Sequence, residues 1–178
     1  MDFSNKQIVV TGGTGALGSA VTGALLRAGA HCVVPYVDAA EAERFAHRGD
    51  PNVKLVAVTD LADETEVAKL FDTVAASTPL WASIHIAGGF AVGKVAETGK
   101  RALMAQLDGN LVSCFLCCRA AVNAMLANGQ GGRIVNVAAR LAGVSMIEGA
   151  TALTRMPSLA TSSASADVSA ATPAFATV

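Results

Sequence analysis

A doubly wound, parallel α/β sheet is the fold this sequence predicts, and three observations predict it. Five short apolar runs recur along residues 7–138, and each of the first four is followed by a segment whose apolar residues fall at helical spacing. The runs are apolar almost throughout rather than alternating, as strands covered on both faces require. The first run is joined to its helix by a glycine-rich turn, Thr11-Gly12-Gly13-Thr14-Gly15-Ala16-Leu17-Gly18, a junction that suits a strand entering a helix in such a sheet.

Taken in order, residues 7–11 form the first strand, and the helix after the turn carries Leu17, Val21, Ala24, Leu25 and Ala28 as its apolar face until Gly29 stops it. His31 to Val37 is the second strand; a short helix from Asp38 to His47 ends before Gly49-Asp50-Pro51. Val53 to Val58 is the third strand. The segment Asp63 to Ala76 follows as a helix, with Val67, Leu70, Phe71 and Val74 on one face and acids in its first turn. Trp81 to Ala87 is the fourth strand, broken by Gly88-Gly89. Thr98 is placed to cap a long helix through Leu103, Leu107, Leu111, Phe115, Cys118 and Val122, with Gly109 as an interruption. Ile134 to Ala138 is the fifth strand. The expected architecture is Rossmann-like, with five recognisable strands and a truncation after the fifth. It comprises a domain over residues 1–150 and a tail over 151–178 that has no glycine, no lysine and an excess of Ala, Ser and Thr.

A helix N-terminus leaves backbone N–H groups unpaired and carries partial positive charge, so an anion such as a pyrophosphate can sit there if no side chain blocks it. Two glycine spacings fit the turn. T-G-x-x-G-x-x-G uses Gly12, Gly15 and Gly18; T-G-x-x-x-G-x-G uses Gly12 and Gly18, with Ala16 replacing the middle glycine. Both are compatible with a dinucleotide.

The 178 residues suit one domain, and a net charge of −1 with 15% charged residues gives no basis for a nucleic-acid partner or an anionic membrane surface. The N-terminal residues lack a basic segment followed by an apolar core, so a cytoplasmic location is expected. Arg119 interrupts the best membrane-span candidate, between Leu111 and Leu126. Of the four cysteines, Cys114, Cys117 and Cys118 share a helix face and Cys32 lies in a strand. With no histidine near them in sequence, they read as packed thiols and no metal site is expected.

Several separate segments between about residues 6 and 150 together resemble the short-chain dehydrogenase/reductase family. The Thr11–Gly18 turn is the first, and the resemblance implies cofactor contacts from Gly12, Thr14, Gly15, Leu17 and Gly18. Asp60-Leu61 resembles the pair that contacts adenine; capping of the next helix by Asp60 or Asp63 is the plainer alternative. His85-Ile86-Ala87-Gly88 stands where the family has Asn-Asn-Ala-Gly, so Ala87 and Gly88 are retained beside the ribose while both asparagines are replaced. His85, alternating with Ile84 and Ile86, reads as structural. Asn110-Leu111-Val112-Ser113-Cys114-Phe115 resembles Asn-Leu-x-Gly-x-Phe, which gives Asn110 the family's catalytic-relay position, where an asparagine holds a water. Gly132 to Ala139 resembles Gly-x-Ile-Val-Asn-Ile-Ser-Ser.

The catalytic end departs from that pattern. Ala139 stands where the family has serine, and the Tyr-x-x-x-Lys pair expected roughly a dozen residues later has no counterpart, since the one tyrosine is Tyr36 and the last lysine is Lys100. Tyr36 also occupies the place of the acid that pairs with the NAD ribose; Asp38 is near enough to substitute, and no arginine follows directly to favour a 2′-phosphate, so the balance favours NAD over NADP. Three readings follow. One is an NAD(P)-binding protein that is inactive or truncated, a frame change near residue 150 being one source of the tail. Another is a weakly active carbonyl/alcohol oxidoreductase using a non-standard group such as Asn110, Ser145 or His85. The third is a subunit-interaction module, with a homo-oligomer formed through the 98–127 helix.

Overall fold

Residues 2–76, 78–129 and 131–138 are described by a computed structural model. Ala139, Ser145 and the 151–178 tail lie outside them. Among the described residues five strands form one sheet: β1 (Gln7–Thr11), β2 (His31–Tyr36), β3 (Val53–Ala57), β4 (Leu80–His85) and β5 (Arg133–Asn136). All neighbours pair in parallel, in the order β3-β2-β1-β4-β5. This is the expected doubly wound α/β sheet. The order runs outward from β1 to β3 and then restarts on the other side of β1 with β4. The switch point, where a ligand crevice forms in such sheets, therefore lies beyond the C-terminal ends of β1 and β4.

Alternation along each strand divides the core into two layers. Ile8, Val10, Cys32, Val34 and Ala82 face one side, where Leu25 of α1 (Ala16–Arg27) and Phe45, just after α2 (Ala39–Arg44), cover them. Val9 and Val33 face the other, as does Leu80, because a register shift between Leu80 and Ala82 interrupts the alternation of β4. There they meet Val67, Leu70, Phe71 and Val74 of α3 (Glu64–Ala75) together with Leu116, Cys117, Ala121 and Met125 of α5 (Ser113–Ala127). The four apolar residues expected to bury α3 all do so, and Asp63 caps its N-terminus by accepting from Thr65 N and Glu66 N. Gln7, buried at the start of β1, donates through Nε2 to Val74 O and Thr78 O, each at 2.9 Å, tying the central strand to the end of α3.

Three helix expectations are corrected: the buried face of α1, the cap at Thr98 and the buried face of the long helix. In α1 the buried residues are Gly18, Thr22, Gly23 and Leu25, while Leu17 and Ala24 are exposed. Gly18 is held against the turn, which rotates the Gly18–Thr22–Leu25 stripe inward in place of the stripe that hydrophobicity marks. Gly29 does stop α1: with φ +88° it lets its own N–H reach Leu26 O and the next N–H, that of Ala30, reach Leu25 O, the pair of bonds that closes a helix end. Thr98 does not cap the long helix. Its hydroxyl donates to Lys94 O in a 3₁₀ turn (Val95–Glu97), and Gly99 takes the N-cap of α4 (Lys100–Leu107).

Gly109 interrupts the long helix without breaking it. Asp108–Val112 forms a π-helical turn between α4 and α5, and Ser113 Oγ donates to Gly109 O across it. The face expected to be buried is largely outside: Leu103, Leu107, Leu111 and Phe115 are exposed. Leu116, Cys117, Ala121 and Met125 are buried instead. Arg119 disqualifies the run from spanning a membrane less firmly than the sequence suggested, because Lys100–Ala127 has the length, 28 residues, and a mean hydropathy of 1.5 over its most apolar window. Here its inner face packs on β4 and α3, and Arg119 pairs with Glu64.

Candidate functional site

The glycine turn is shaped by contacts a side chain would not allow. Gly12 has φ +69°, a left-handed conformation that costs an L-residue about 1–2 kcal/mol. A Cβ there would also lie 2.6 Å from Ala87 N. A Cβ on Gly18 would fall onto Gly12 O and lie 2.6 Å from Gly13 Cα. Gly13 is packed under Val34, whose Cγ1 would be 2.7 Å from such a carbon. Gly15 is different: it would meet only Gly12 O, at 3.4 Å. The sterically required glycines are thus 12, 13 and 18, and Ala16, the position that differs between the two spacings, is exposed. Gly15 is the N-cap of α1 and supplies no side-chain oxygen to its first turn, so the backbone donors there face outward with nothing from the cap competing for them.

The same contacts join two segments that are far apart in sequence. Ile86 N donates to Thr11 O at 3.1 Å, and Ala87 N approaches Thr11 Oγ1 at 3.4 Å. The missing Cβ of Gly12 leaves room for that peptide. Ala87-Gly88 therefore runs directly beside the turn, as a backbone wall of the switch-point crevice. Gly88 is in turn bounded by Asn110, whose Oδ1 would be 2.6 Å from a Cβ on Gly88. Asn110 Oδ1 accepts from Gly89 N at 3.0 Å, and its Nδ2 donates to Gln106 O at 2.9 Å. Lying in the π-helical turn, a deformation frequent at functional sites, Asn110 ties the long helix to the loop after β4.

The remaining predicted residues lie around the ends of β2 and β3. Asp38 caps α2 through Ala40 N at 2.8 Å, and Tyr36, at the end of β2, accepts from Val58 N through its carbonyl. Asp60 Oδ1 accepts from Ala62 N at 2.8 Å, closing a tight turn, while Asp63 rather than Asp60 caps α3. Leu61 is buried in the core beside α3, which leaves its backbone alone to face a ligand. Thr14 Oγ1 donates to Glu41 Oε2 at 3.0 Å. Sequence reasoning missed Glu41; its position one helical turn beyond Asp38 was the available signal.

His85 is buried, with Ser83 Oγ 2.8 Å from Nε2 and Asn136 Oδ1 2.8 Å from Nδ1. Burial pushes its pKa down and Asn136 partly opposes that, so the ring is neutral at neutral pH. Burial also pushes the Cys32 and Cys117 thiols up to about 12. A groove between α3 and α5, lined by Val67, Phe71 and Leu116 among others, encloses about 330 Å³ but shares no residue with the glycine turn.

Residues 6–151 match the family described as short chain dehydrogenase. Over 75 residues the sequence is 41% identical to a short chain dehydrogenase/reductase, dpchG, of Colletotrichum higginsianum, covering 41% of this chain and 28% of that protein. It is 28% identical over 135 residues to a 2-keto-3-deoxy-L-fuconate dehydrogenase of Xanthomonas campestris pv. campestris, covering 76% of this chain and 43% of the other. The fold is similar to that of a citronellol catabolism dehydrogenase of Pseudomonas aeruginosa, with a TM-score of 0.67 and 28% identity, across 75% of this chain and 56% of that one. The chain thus spans less than half the length of either curated relative it matches.

Proposed function

The chain belongs to the short chain dehydrogenase family, and from that membership we propose that it binds a nicotinamide dinucleotide at the Thr11–Gly18 turn and turns over substrate slowly or not at all. The observation that carries the reading is the cradle formed by Gly12 and Gly18. Both positions exclude a Cβ, and the first turn of α1 and the Ala87-Gly88 backbone open beside them. Gly12, Thr14, Gly15 and Leu17 would hold the pyrophosphate through backbone donors, Asp60 and Leu61 the adenine, and Ala87 and Gly88 the nicotinamide-side ribose. A bound nicotinamide supplies hydride transfer. Asn110 holds the loop after β4 in place and keeps the family's relay position.

NAD is favoured over NADP. Asp38 uses one carboxylate oxygen to cap α2 and has a second for a ribose hydroxyl, and Glu41 adds negative charge beside Thr14, which repels a 2′-phosphate. Slow turnover rests on the sequence: Ala139 has no hydroxyl, and residues 140–178, where the family's Tyr-x-x-x-Lys pair would fall, hold neither tyrosine nor lysine. Titrating the chain with NAD, NADH, NADP and NADPH while following thermal unfolding tests the binding. At a hundredfold excess over Kd a ligand adds about 2.7 kcal/mol, so a clear rise in Tm with NAD or NADH is expected, and no rise with any of the four overturns the reading. NADH oxidation with a panel of ketones and aldehydes should stay near the blank; rapid oxidation would refute inactivity.

A homo-oligomer through the long helix has its own support, the exposed row Leu103, Leu107, Leu111 and Phe115 at four-residue intervals. Sedimentation velocity should find a dimer or larger species that Phe115→Glu dissociates; a monomer at high concentration counts against it.

A further inference from the structure

His85 lies about thirty residues before the cysteine pair Cys114 and Cys118, yet the three side chains meet in the fold. His85, Cys114 and Cys118 present their ligand atoms within 4.8 Å of one another, at the junction of β4, β5 and α5. We propose that these side chains form a binding site for one soft divalent cation, with zinc as the reference ion. This site is independent of the dinucleotide reading.

The geometry fits a single ion. Zinc bonds of about 2.3 Å to sulfur and about 2.0 Å to nitrogen place tetrahedral S and N ligands about 3.5 Å apart, and Cys118 Sγ lies 3.3 Å from His85 Nδ1. Asn136 Oδ1, 2.8 Å from Nδ1 and 3.4 Å from Cys118 Sγ, is the oxygen placed to complete a four-coordinate set. The ring is oriented from behind: Ser83 Oγ, fully buried, sits 2.8 Å from Nε2 and can accept the N–H that the ring keeps when Nδ1 is a ligand.

The two cysteines are spaced to chelate rather than to cross-link. Residues i and i+4 of a helix have Cβ atoms about 5–6 Å apart, whereas a disulfide needs about 3.5–4.5 Å. Their side chains are half-buried, so an ion has a way in, while His85 is buried. Charge also balances: a divalent cation, two thiolates and a neutral imidazole sum to zero, which a largely buried site tolerates. Binding converts two thiols to thiolates and releases two protons to solvent, and it moves the imidazole proton from Nδ1 to Nε2, with no change of oxidation state. The occupied site would pin α5 to the ends of β4 and β5.

The test uses the full, reduced chain and cobalt(II) as a spectroscopic probe. One cobalt per chain should bind with a near-ultraviolet thiolate charge-transfer band and the visible bands of a tetrahedral ion. Zinc should displace it, with two protons released when the metal-free chain is loaded. His85→Asn keeps a side-chain amide beside Ser83 and Asn136, and should weaken binding about a hundredfold or more with its far-ultraviolet circular dichroism unchanged. The double variant Cys114→Ala/Cys118→Ala should lose the charge-transfer band, and Cys32→Ala should keep it. Absence of the band in the unaltered chain overturns the proposal, and so does a band that survives His85→Asn at full affinity or that depends on Cys32.

Discussion

Replacing Gly18 by alanine separates the steric reading of the glycine turn from a reading by helix propensity alone. Gly18 lies in the first turn of α1, where alanine is better than glycine by about 1 kcal/mol. Propensity alone therefore predicts a stabilised protein. The geometry predicts the opposite, because the added Cβ would fall onto Gly12 O and within 2.6 Å of Gly13 Cα. Both obstacles are backbone, so no rotamer change relieves them. Overpacking of this kind costs about 1–3 kcal/mol, here at the upper end, leaving a net loss of about 2 kcal/mol. At about 3–4 °C per kcal/mol for a domain of this size, Tm should fall by about 6–8 °C. Gly15→Ala is the control. Its Cβ would make only a 3.4 Å contact with Gly12 O, and exchanging glycine for alanine at an N-cap should cost less than about 1 kcal/mol. Thermal unfolding followed by far-ultraviolet circular dichroism measures both. If Gly18→Ala is as stable as the unaltered chain, or less affected than Gly15→Ala, the close approach of α1 to the turn is wrong.

Other outcomes follow from single contacts. Asn110→Ala removes the acceptor of Gly89 N and the donor to Gln106 O; the Gly89 amide should exchange with solvent faster, with a stability loss of about 1 kcal/mol. Asp63→Ala leaves the Thr65 and Glu66 amides without their cap and should lower stability by about 1 kcal/mol in urea denaturation, with the m-value unchanged. In the folded chain at pH 8, iodoacetamide should modify Cys114 and Cys118 well before Cys32 and Cys117, whose buried thiols are pushed up to about 12 and hold almost no thiolate. Peptide mapping of the alkylated protein reads the order, and early modification of Cys32 would contradict its packing in β2.

Local pattern was enough to locate most elements. The five strands and α3 with its buried face lie where apolar runs and helical spacing put them, because those signals span only a few neighbouring residues. Two helix faces were misread, and for one reason. In α1 the stripe Gly18–Thr22–Leu25 is turned inward by the glycine contact, and in the long helix the π-helical turn at Asp108–Val112 shifts the phase, so that a continuous 3.6-residue count selects Leu107, Leu111 and Phe115 while the sheet receives Leu116, Cys117 and Ala121. Periodicity finds an amphipathic helix; a backbone constraint outside the pattern decides its rotation.

For the candidate site, the sequence by itself determined the residue types: a turn rich in glycine between strand and helix, Asp60-Leu61, Ala87-Gly88 and Asn110, and the lack of a hydroxyl at Ala139. These are properties of short segments and can be read without knowing where the segments lie. The tertiary structure alone decided which segments meet. The order β3-β2-β1-β4-β5 sets β4 beside β1 although more than sixty residues separate them, which brings Ala87 against Gly12, Asn110 against Gly88, and His85 against Cys114 and Cys118. Parallel pairing across a right-handed crossover is a long-range choice, and the side chains it brings together leave no mark in the spacing of either segment.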